Sequence, residues 1–459
     1  SMSARPSIRV AFIGSGAVNF GGAEGPWNHS ARVEQLHASR TFDCTVVGIA
    51  DPLVGKAHEV LAQRKAEAAQ HDASHSDHAP VAPIYDECRV FGDYNEMLAK
   101  THPTVVFIGV PPVAHGGFGD NRKEAEAENA EKFGIPFGPA CEMELNCIKA
   151  GASVFVEKPV SMRPVEEARR YAAAVQQLAD EKGLVVSVGY MFRYAAAVRR
   201  AQEILREHGR PVAAILARYN SAYAAINHPF WWDARRSGGP VVEQGTHFAD
   251  LCRLFGGEVV ETTVEGMALP ATSITGAGDL SNVPSNVDES AVDPAHRLPR
   301  VHSATMRFAG GAVGSFTHAL LLHGEKYESS IDVWADGLRI SLRELYSDSP
   351  YLRVRGPASD EDQRISFKDD DPYLTEVDVF FRAVSGDASA SVASTFADAT
   401  ETYALTRRVQ ERCGASGARS EAAIRRETEP VVQVGVIVPL LAAGILGGFL
   451  VHLGRAYSK

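Results

Sequence analysis

Three short stretches of the chain carry residue types in an order suited to chemistry on a bound nucleotide. Gly14-Ser15-Gly16-Ala17-Val18-Asn19 follows an apolar run, Ile8 to Ile13. Small residues there let the backbone approach a dinucleotide pyrophosphate and let the next helix aim its N-terminus at it. The third small position is Asn19 rather than Gly, so a plain strand-end turn stands as the other reading of Gly14 and Gly16. Asp51 closes the next apolar run, Thr45 to Ala50. A carboxylate at that point takes both hydroxyls of an adenosine ribose and repels a 2′-phosphate, which favours NAD over NADP. Glu157-Lys158-Pro159 ends a further run, Ser153 to Val156, and puts a charged pair at the carboxyl end of a buried strand, where ligands sit. Taken alone, such a pair reads as an ordinary solvated strand end.

The elements that must position these residues are legible as alternating apolar runs and helical patterns. Ile8 to Ile13, Thr45 to Ala50, Thr104 to Val110 and Ser153 to Val156 are short, β-branched and continuous, as strands buried on both faces are. Between them lie helical patterns at Ala57 to Arg64 and Tyr94 to Lys100, and a helix near Val165 to Lys182 precedes one more strand, Leu184 to Val188. The alternation predicts an α/β Rossmann unit, a doubly wound parallel sheet, over residues 1–190. Phe20 to Asn28 is too rich in Gly and Pro for helix, so the first helix is expected at Ser30, acting as N-cap.

Residues 191–412 change character. Thr305 to Phe308 and Val313 to His318 flank Ala309-Gly310-Gly311 as a hairpin, and Ala213 to Arg218, Val259 to Gly266 and Ile331 to Ala335 add strands. An α+β domain with a large open, mainly antiparallel sheet is expected. Ala73 to Pro83 and Ala271 to Arg300 read as surface loops. His71, His75 and His78 with Asp72 and Asp77 lack helix-face spacing or a cysteine, so no metal is expected. Residues 413–430 form a Gly/Ser/Arg-rich linker. Residues 431–454 are a hydrophobic segment long enough to meet the ~20 residues that a membrane anchor needs. A helix packed in an interface is the other reading, since Pro439 and the glycines of the segment weaken a helix in water.

Composition excludes several classes. With 459 residues, 45% hydrophobic and 22% charged, the chain can bury two or three cores and is not disordered. Its balance of 46 basic and 57 acidic residues, a net −11, without a long basic run, excludes nucleic acid as the expected partner. Six scattered cysteines without a CxxC pair suit a reducing compartment, and residues 1–6 lack a signal peptide's apolar core. The catalytic body is therefore expected in the cytoplasm, with the C-terminal segment as its candidate tether.

Phe230-Trp231-Trp232-Asp233 with Arg235 and Arg236 precedes Gly238-Gly239 and offers an aromatic wall for a sugar or aryl diol. Core packing explains one of the two tryptophans equally well. From Gly238 the chain runs Gly-Gly-Pro-Val-Val-Glu243-Gln-Gly245-Thr-His247-Phe-Ala-Asp250. Together with Glu157-Lys158-Pro159 and the Gly14 turn, this resembles the glucose-fructose oxidoreductase/inositol dehydrogenase (Gfo/Idh/MocA) family, with Glu243 where that family usually carries Asp. The resemblance covers about Ile8 to Arg412, with insertions at Phe20 to Asn28 and Gly116 to Ala140.

The resemblance implies an NAD(P)-dependent oxidoreductase, NAD preferred, moving hydride between nicotinamide and a hydroxyl-bearing carbon of a sugar, cyclitol or related diol. It implies His247 as acid/base and Lys158 as its assistant. Glu243 and His247 stand four apart, hence on one face of a helix, and a carboxylate neighbour makes an imidazole a competent proton acceptor. A structural role for Glu243 is the alternative. Lys158 would orient the substrate hydroxyl and stabilise alkoxide charge. Pro111 and His115 match a family P-x-x-x-H pattern, so Gly14, Gly16, Asn19, Asp51, Pro111, His115, Glu157 and Lys158 form the cofactor set. Arg193 and Tyr194, with Trp231, Trp232 and Arg235, form the substrate set. A homodimer or higher homo-oligomer is implied by the family's pairing of open sheets. Two rivals remain: an NAD-dependent glycosidase-like enzyme with transient oxidation, and an NAD-binding scaffold or sensor without catalysis.

Overall fold

The computed structural model describes residues 5–22, 25–75, 77–117, 142–222, 229–234, 237–269, 282–283, 288, 291–324, 327–358 and 361–413. Six strands form a parallel sheet: β1 (Ser7–Ile13), β2 (Asp43–Ala50), β3 (Arg89–Phe91), β4 (Val105–Ile108), β5 (Ser153–Val156) and β6 (Val186–Val188). Their order is β3-β2-β1-β4-β5-β6. The order reverses between β1 and β4, and a doubly wound sheet opens its ligand crevice at that reversal. Gly14 and Gly109 leave the two strands there, tied by bonds from Gly14 N to Ala50 O (2.8 Å) and from Gly109 N to Ile13 O (3.0 Å).

The first helix differs from the expectation. One turn, α1 (Ala17–Phe20), follows the glycine turn, and α2 (His29–Ala38) begins after it. Asn28, not Ser30, caps α2, its side chain accepting from Ala31 N at 3.0 Å. Gly21, with φ +86°, ends α1 because that backbone leaves the helical region. The sheet is flanked by α3 (Val54–Ser74), α4 (Tyr94–Thr101), α5 (Met143–Lys149) and α6 (Val165–Lys182). Helix α3 continues into the stretch read as a loop, and its end stacks the rings of His71 and His75 at 4.5 Å.

The second sheet holds β7 (Val212–Ala222), β8 (Glu265–Leu269), β9 (Val301–Arg307), β10 (Val313–Leu322), β11 (Tyr327–Ala335), β12 (Leu338–Arg343), β13 (Tyr351–Arg355) and β14 (Gln363–Ser366). Its order is β14-β13-β12-β11-β7-β10-β9-β8, antiparallel except for the β7–β10 pair. The hairpin expected around Gly310 is the β9–β10 pair, with Arg307 opposite Val313. The strand expected at Val259 to Gly266 is displaced: a 3₁₀ turn occupies Glu261–Thr263 and β8 starts at Glu265. One face of this sheet is covered by α9 (Thr246–Gly256), which follows α7 (Ala196–His208) and the single turn α8 (Pro240–Glu243).

Helix α10 (Pro372–Val384) returns to the parallel sheet. Asp371 caps it, accepting from Leu374 N at 3.0 Å, with Pro372 in the first turn. Phe380 and Phe381 then pack edge-on against Phe155 and Phe42 in the core under β1, β4 and β5. A last helix, α11, spans residues 396–413. Among the described residues no helix is long and apolar enough to cross a membrane. Residues 431–454, most of the 413–430 linker and most of 271–300 lie outside the described residues.

Candidate active site

A cavity of about 440 Å³ lies between the two sheets. Its floor is the carboxyl edge of the parallel sheet, where Gly16, Pro111, Glu157 and Lys158 meet it. Gly14 turns the chain at φ +92°, and a Cβ there would stand 2.8 Å from Val110 Cγ1. A Cβ on Gly16 would meet nothing within 4 Å, so its absence leaves open room beside the backbone. That shape suits a pyrophosphate approaching the turn. Asn19 lies behind the turn, fully buried, donating from Nδ2 to Ile13 O (3.1 Å) and Gly14 O (2.8 Å). It braces the loop rather than facing the cavity.

Asp51 is tied to the same turn. Its Oδ2 accepts from Ser15 N and Ser15 Oγ, both at 2.7 Å, and its Oδ1 from Leu53 N at 2.8 Å. A carboxylate accepts about four hydrogen bonds, so capacity for a ribose hydroxyl is left. Glu157 is held by His29, whose Nε2 lies 2.7 Å from Oε1. This partner, buried on α2, was not signalled by the sequence.

Lys158, Glu243 and His247 converge on the cavity. Their connection differs from the one expected. The helix is interrupted after Glu243, at Gln244 and Gly245, before α9 begins, and Gly245 sits too close to Val241 and Phe316 to carry a side chain. Glu243 and His247 therefore border the cavity from two successive helices. Lys158 Nζ donates to the main-chain oxygen of Glu243 at 2.9 Å, while the Glu243 carboxyl accepts from Ser237 Oγ at 3.2 Å. Burial raises the Glu243 carboxyl to about 7 against the opposing pull of Lys158. Burial, then the Lys158 charge, hold the His247 imidazole well below its ordinary value, so it is neutral at pH 7. Its Nδ1 has no hydrogen-bond partner among the described residues.

Other expected site residues stand elsewhere. Arg193 is clamped inside, donating from Nε and Nη2 to Asp250 (2.7 and 2.6 Å) and from Nη1 to Ala393 O (2.6 Å). Tyr194 Oη accepts from Ala393 N at 2.9 Å. Neither borders the cavity, because an unsolvated guanidinium is held wherever buried carboxylates meet it. His115 is likewise buried off the cavity, its Nδ1 2.7 Å from Glu144 Oε1. Trp231 borders the cavity; Trp232 is fully buried beside Val292 and Leu320. Arg235 lies outside the described residues.

The opposite wall was missed by sequence reading. Tyr219, Tyr327 and Tyr346 stack in series, with ring centroids at 5.4 Å (Tyr219–Tyr346) and 4.6 Å (Tyr327–Tyr346), and Trp27, Tyr373 and Glu376 complete it. Tyr219 was readable in principle as an inward position of the alternating β7 strand. Glu376 was readable as an acid on the apolar face of α10, one residue before Val377 and four before Phe380.

The fold and this arrangement define a dinucleotide-binding oxidoreductase with a second, sheet-walled domain. Family comparison agrees. The family described as "Oxidoreductase family, NAD-binding Rossmann fold" (GFO_IDH_MocA) matches residues 8–190, and "Putative oxidoreductase C terminal domain" matches residues 193–338. A Schizosaccharomyces pombe protein named "Uncharacterized protein UNK4.17" is 37% identical over 407 residues, covering 88% of this chain and 91% of its own. The chain belongs to the Gfo/Idh/MocA family of NAD-binding oxidoreductases.

Solved structures share the fold at low identity. A levoglucosan dehydrogenase in complex with NADH and levoglucosan aligns with TM-score 0.61 at 17% identity, covering 89% of this chain and 98% of that one. The UDP-N-acetylglucosamine 3-dehydrogenase GnnA from Acidithiobacillus ferrooxidans aligns with TM-score 0.57 at 15% identity, over 89% and 98%.

Proposed function

We propose that the chain transfers hydride between NAD and a hydroxyl-bearing carbon of a carbohydrate, cyclitol or related diol. The observation that carries this reading is the juxtaposition of Lys158, Glu243 and His247 on one cavity with the Gly16 turn. The sugar dehydrogenases that share the fold support the substrate class. When bound, NAD supplies the hydride acceptor. Gly14 and Gly16 receive its pyrophosphate, Asp51 its adenosine ribose and Glu157 with Lys158 its nicotinamide half.

Lys158 has three donors, one of them fixed on Glu243 O. The others reach the substrate hydroxyl and stabilise the negative charge that grows on its oxygen. His247, uncharged in its buried setting, accepts the hydroxyl proton. Glu243, titrating near neutrality, exchanges protons with solvent and tunes that step. Trp231 and the Tyr219–Tyr346–Tyr327 stack offer flat apolar faces to the C–H face of a sugar ring.

Calorimetric titration with NAD and NADP, followed by an absorbance screen for NADH over sugars, polyols and aryl diols, tests this reading. NAD binding with a substrate hit is the expected result, and absence of binding by either nucleotide overturns it. The outward face of the second sheet exposes Leu216, Val313 and Trp334 at 39%, 48% and 44%. We infer pairing of two copies through it, checked by sedimentation. A cytoplasmic body tethered through residues 431–454 completes the proposal; removal of those residues is expected to release an active body from membranes.

A further inference from the structure

Glu376 is 1% exposed, yet it has no hydrogen bond or ion pair among the described residues, and its Oε1 is without a partner. It borders the cavity beside Glu157 and Gly189, which leave the carboxyl ends of β5 and β6. A dinucleotide lies across a doubly wound sheet with its adenosine over the β1–β3 half and its second nucleoside over the other half. Glu376 therefore faces the nicotinamide end. Its charged surroundings are hostile to a carboxylate. Glu157 and Asp250 carry its own sign, and Arg193 is already clamped between Asp250 and Asp398. An unpaired buried charge beside two like charges is costly, and a carboxyl in that position keeps its proton. Burial, then Glu157 and Asp250, raise its pKa well above the ordinary carboxyl range.

We propose that Glu376, as an uncharged carboxylic acid, is the hydrogen-bonding partner of the cofactor's nicotinamide carboxamide. The match is one of donor and acceptor: the acid offers one O–H and one C=O, and one edge of a primary amide offers an N–H and the C=O in the complementary order. Both bonds form in a single ring, fixing which way the carboxamide points. The inference rests on the NAD reading above and assigns a residue of α10 to it. It also accounts for a polar group that the fold itself leaves unsatisfied: the partner arrives with the ligand.

The test titrates NAD and ADP-ribose into the full chain by calorimetry, for wild type, Glu376→Gln and Glu376→Leu, alongside thermal melting of the nucleotide-free proteins. Gln keeps the donor–acceptor pair, so its NAD affinity is expected within about threefold of wild type. Leu removes both bonds and is expected to weaken NAD by roughly tenfold or more. ADP-ribose, which lacks the nicotinamide, is expected to bind all three proteins alike. The Leu variant without nucleotide is expected to melt higher, since an unpaired polar group has left the interior. Unchanged NAD affinity in the Leu variant overturns the proposal. So does equal loss of NAD and ADP-ribose, or a lower melting temperature, each of which marks a structural residue. Failure of wild type to bind NAD overturns the dehydrogenase reading and the proposal with it, and is told apart because it precedes any variant.

Discussion

Two regions of the molecule bury a glutamate almost completely, and they treat it in opposite ways. Behind the parallel sheet, Glu144 accepts from Tyr171 Oη at 2.7 Å and pairs with His115 Nδ1 at 2.7 Å. Burial pushes its carboxyl up, but His115 and the two hydrogen bonds outweigh it, and the group is held below the ordinary range. On the cavity, Glu376 has burial and like charges that outweigh the pull of Arg193, and no hydrogen-bond partner among the described residues, while Glu243 has burial opposed by Lys158 and one hydroxyl. Depth is the same; saturation differs. In this comparison the carboxyl whose partners are all inside the protein holds the fold, and the carboxyls left short of partners face the cavity.

The largest effect separating the regions is expected at Arg193. Replacing it with Leu strands Asp250, 1% exposed, and should cost about 3–5 kcal/mol of stability in denaturant unfolding. A midpoint equal to wild type would contradict a structural role. Next come Lys158→Ala and His247→Ala, each expected to lower turnover roughly 10²-fold or more while leaving unfolding nearly unchanged, with NAD affinity weakened only in the Lys158 variant. Should either mutation unfold the protein with little effect on turnover per folded molecule, the division between the regions fails.

Glu144→Gln is expected to cost about 1–3 kcal/mol, because His115 and Tyr171 cannot both keep their partner. The pH dependence should then differ in sign between the regions. Glu144, depressed, contributes stability at neutral pH that is lost as pH falls below about 4.5, through its folded value. Glu243, raised to about 7, binds more protons when folded, so its contribution is lost as pH rises from about 4.5 to about 7. Glu243→Gln should flatten that second limb and remove an inflection near 7 from the pH profile of turnover. The smallest effect is expected at Asp51: Asp51→Ala should weaken NAD several-fold and relax its preference over NADP, measured by titration with both nucleotides.

The parallel half was legible because its strands are buried on both faces and read as unbroken β-branched runs. β3 escaped because three residues, Arg89–Phe91, give no period. The Glu157-Lys158 and Glu243/His247 sites were legible as residue types, but the helix break at Gly245 was not. Gly245 there packs against Phe316, 71 positions away in sequence, whose ring would stand 3.0 Å from a Cβ on that glycine. Arg193 illustrates the opposite error. An arginine near a cleft and one clamped beneath it carry the same letter, and only the position of Asp250 distinguishes them. The tyrosine wall comes from three separate segments, β7, β11 and the turn at Tyr346, whose juxtaposition no local pattern carries.

Helix α10 has a consequence for the order of synthesis. Phe380 stacks edge-on with Phe107 and Phe155 of the parallel sheet, and Tyr373 and Glu376 face the cavity from the same helix. A nascent chain that has released all six parallel strands still has bare aromatic rings on that sheet and an incomplete nucleotide crevice. Nearly two hundred further residues must leave the ribosome before the nucleotide half is finished. The amino-terminal unit is thus a dependent partner during biogenesis, sheltered late by a piece of chain encoded far downstream.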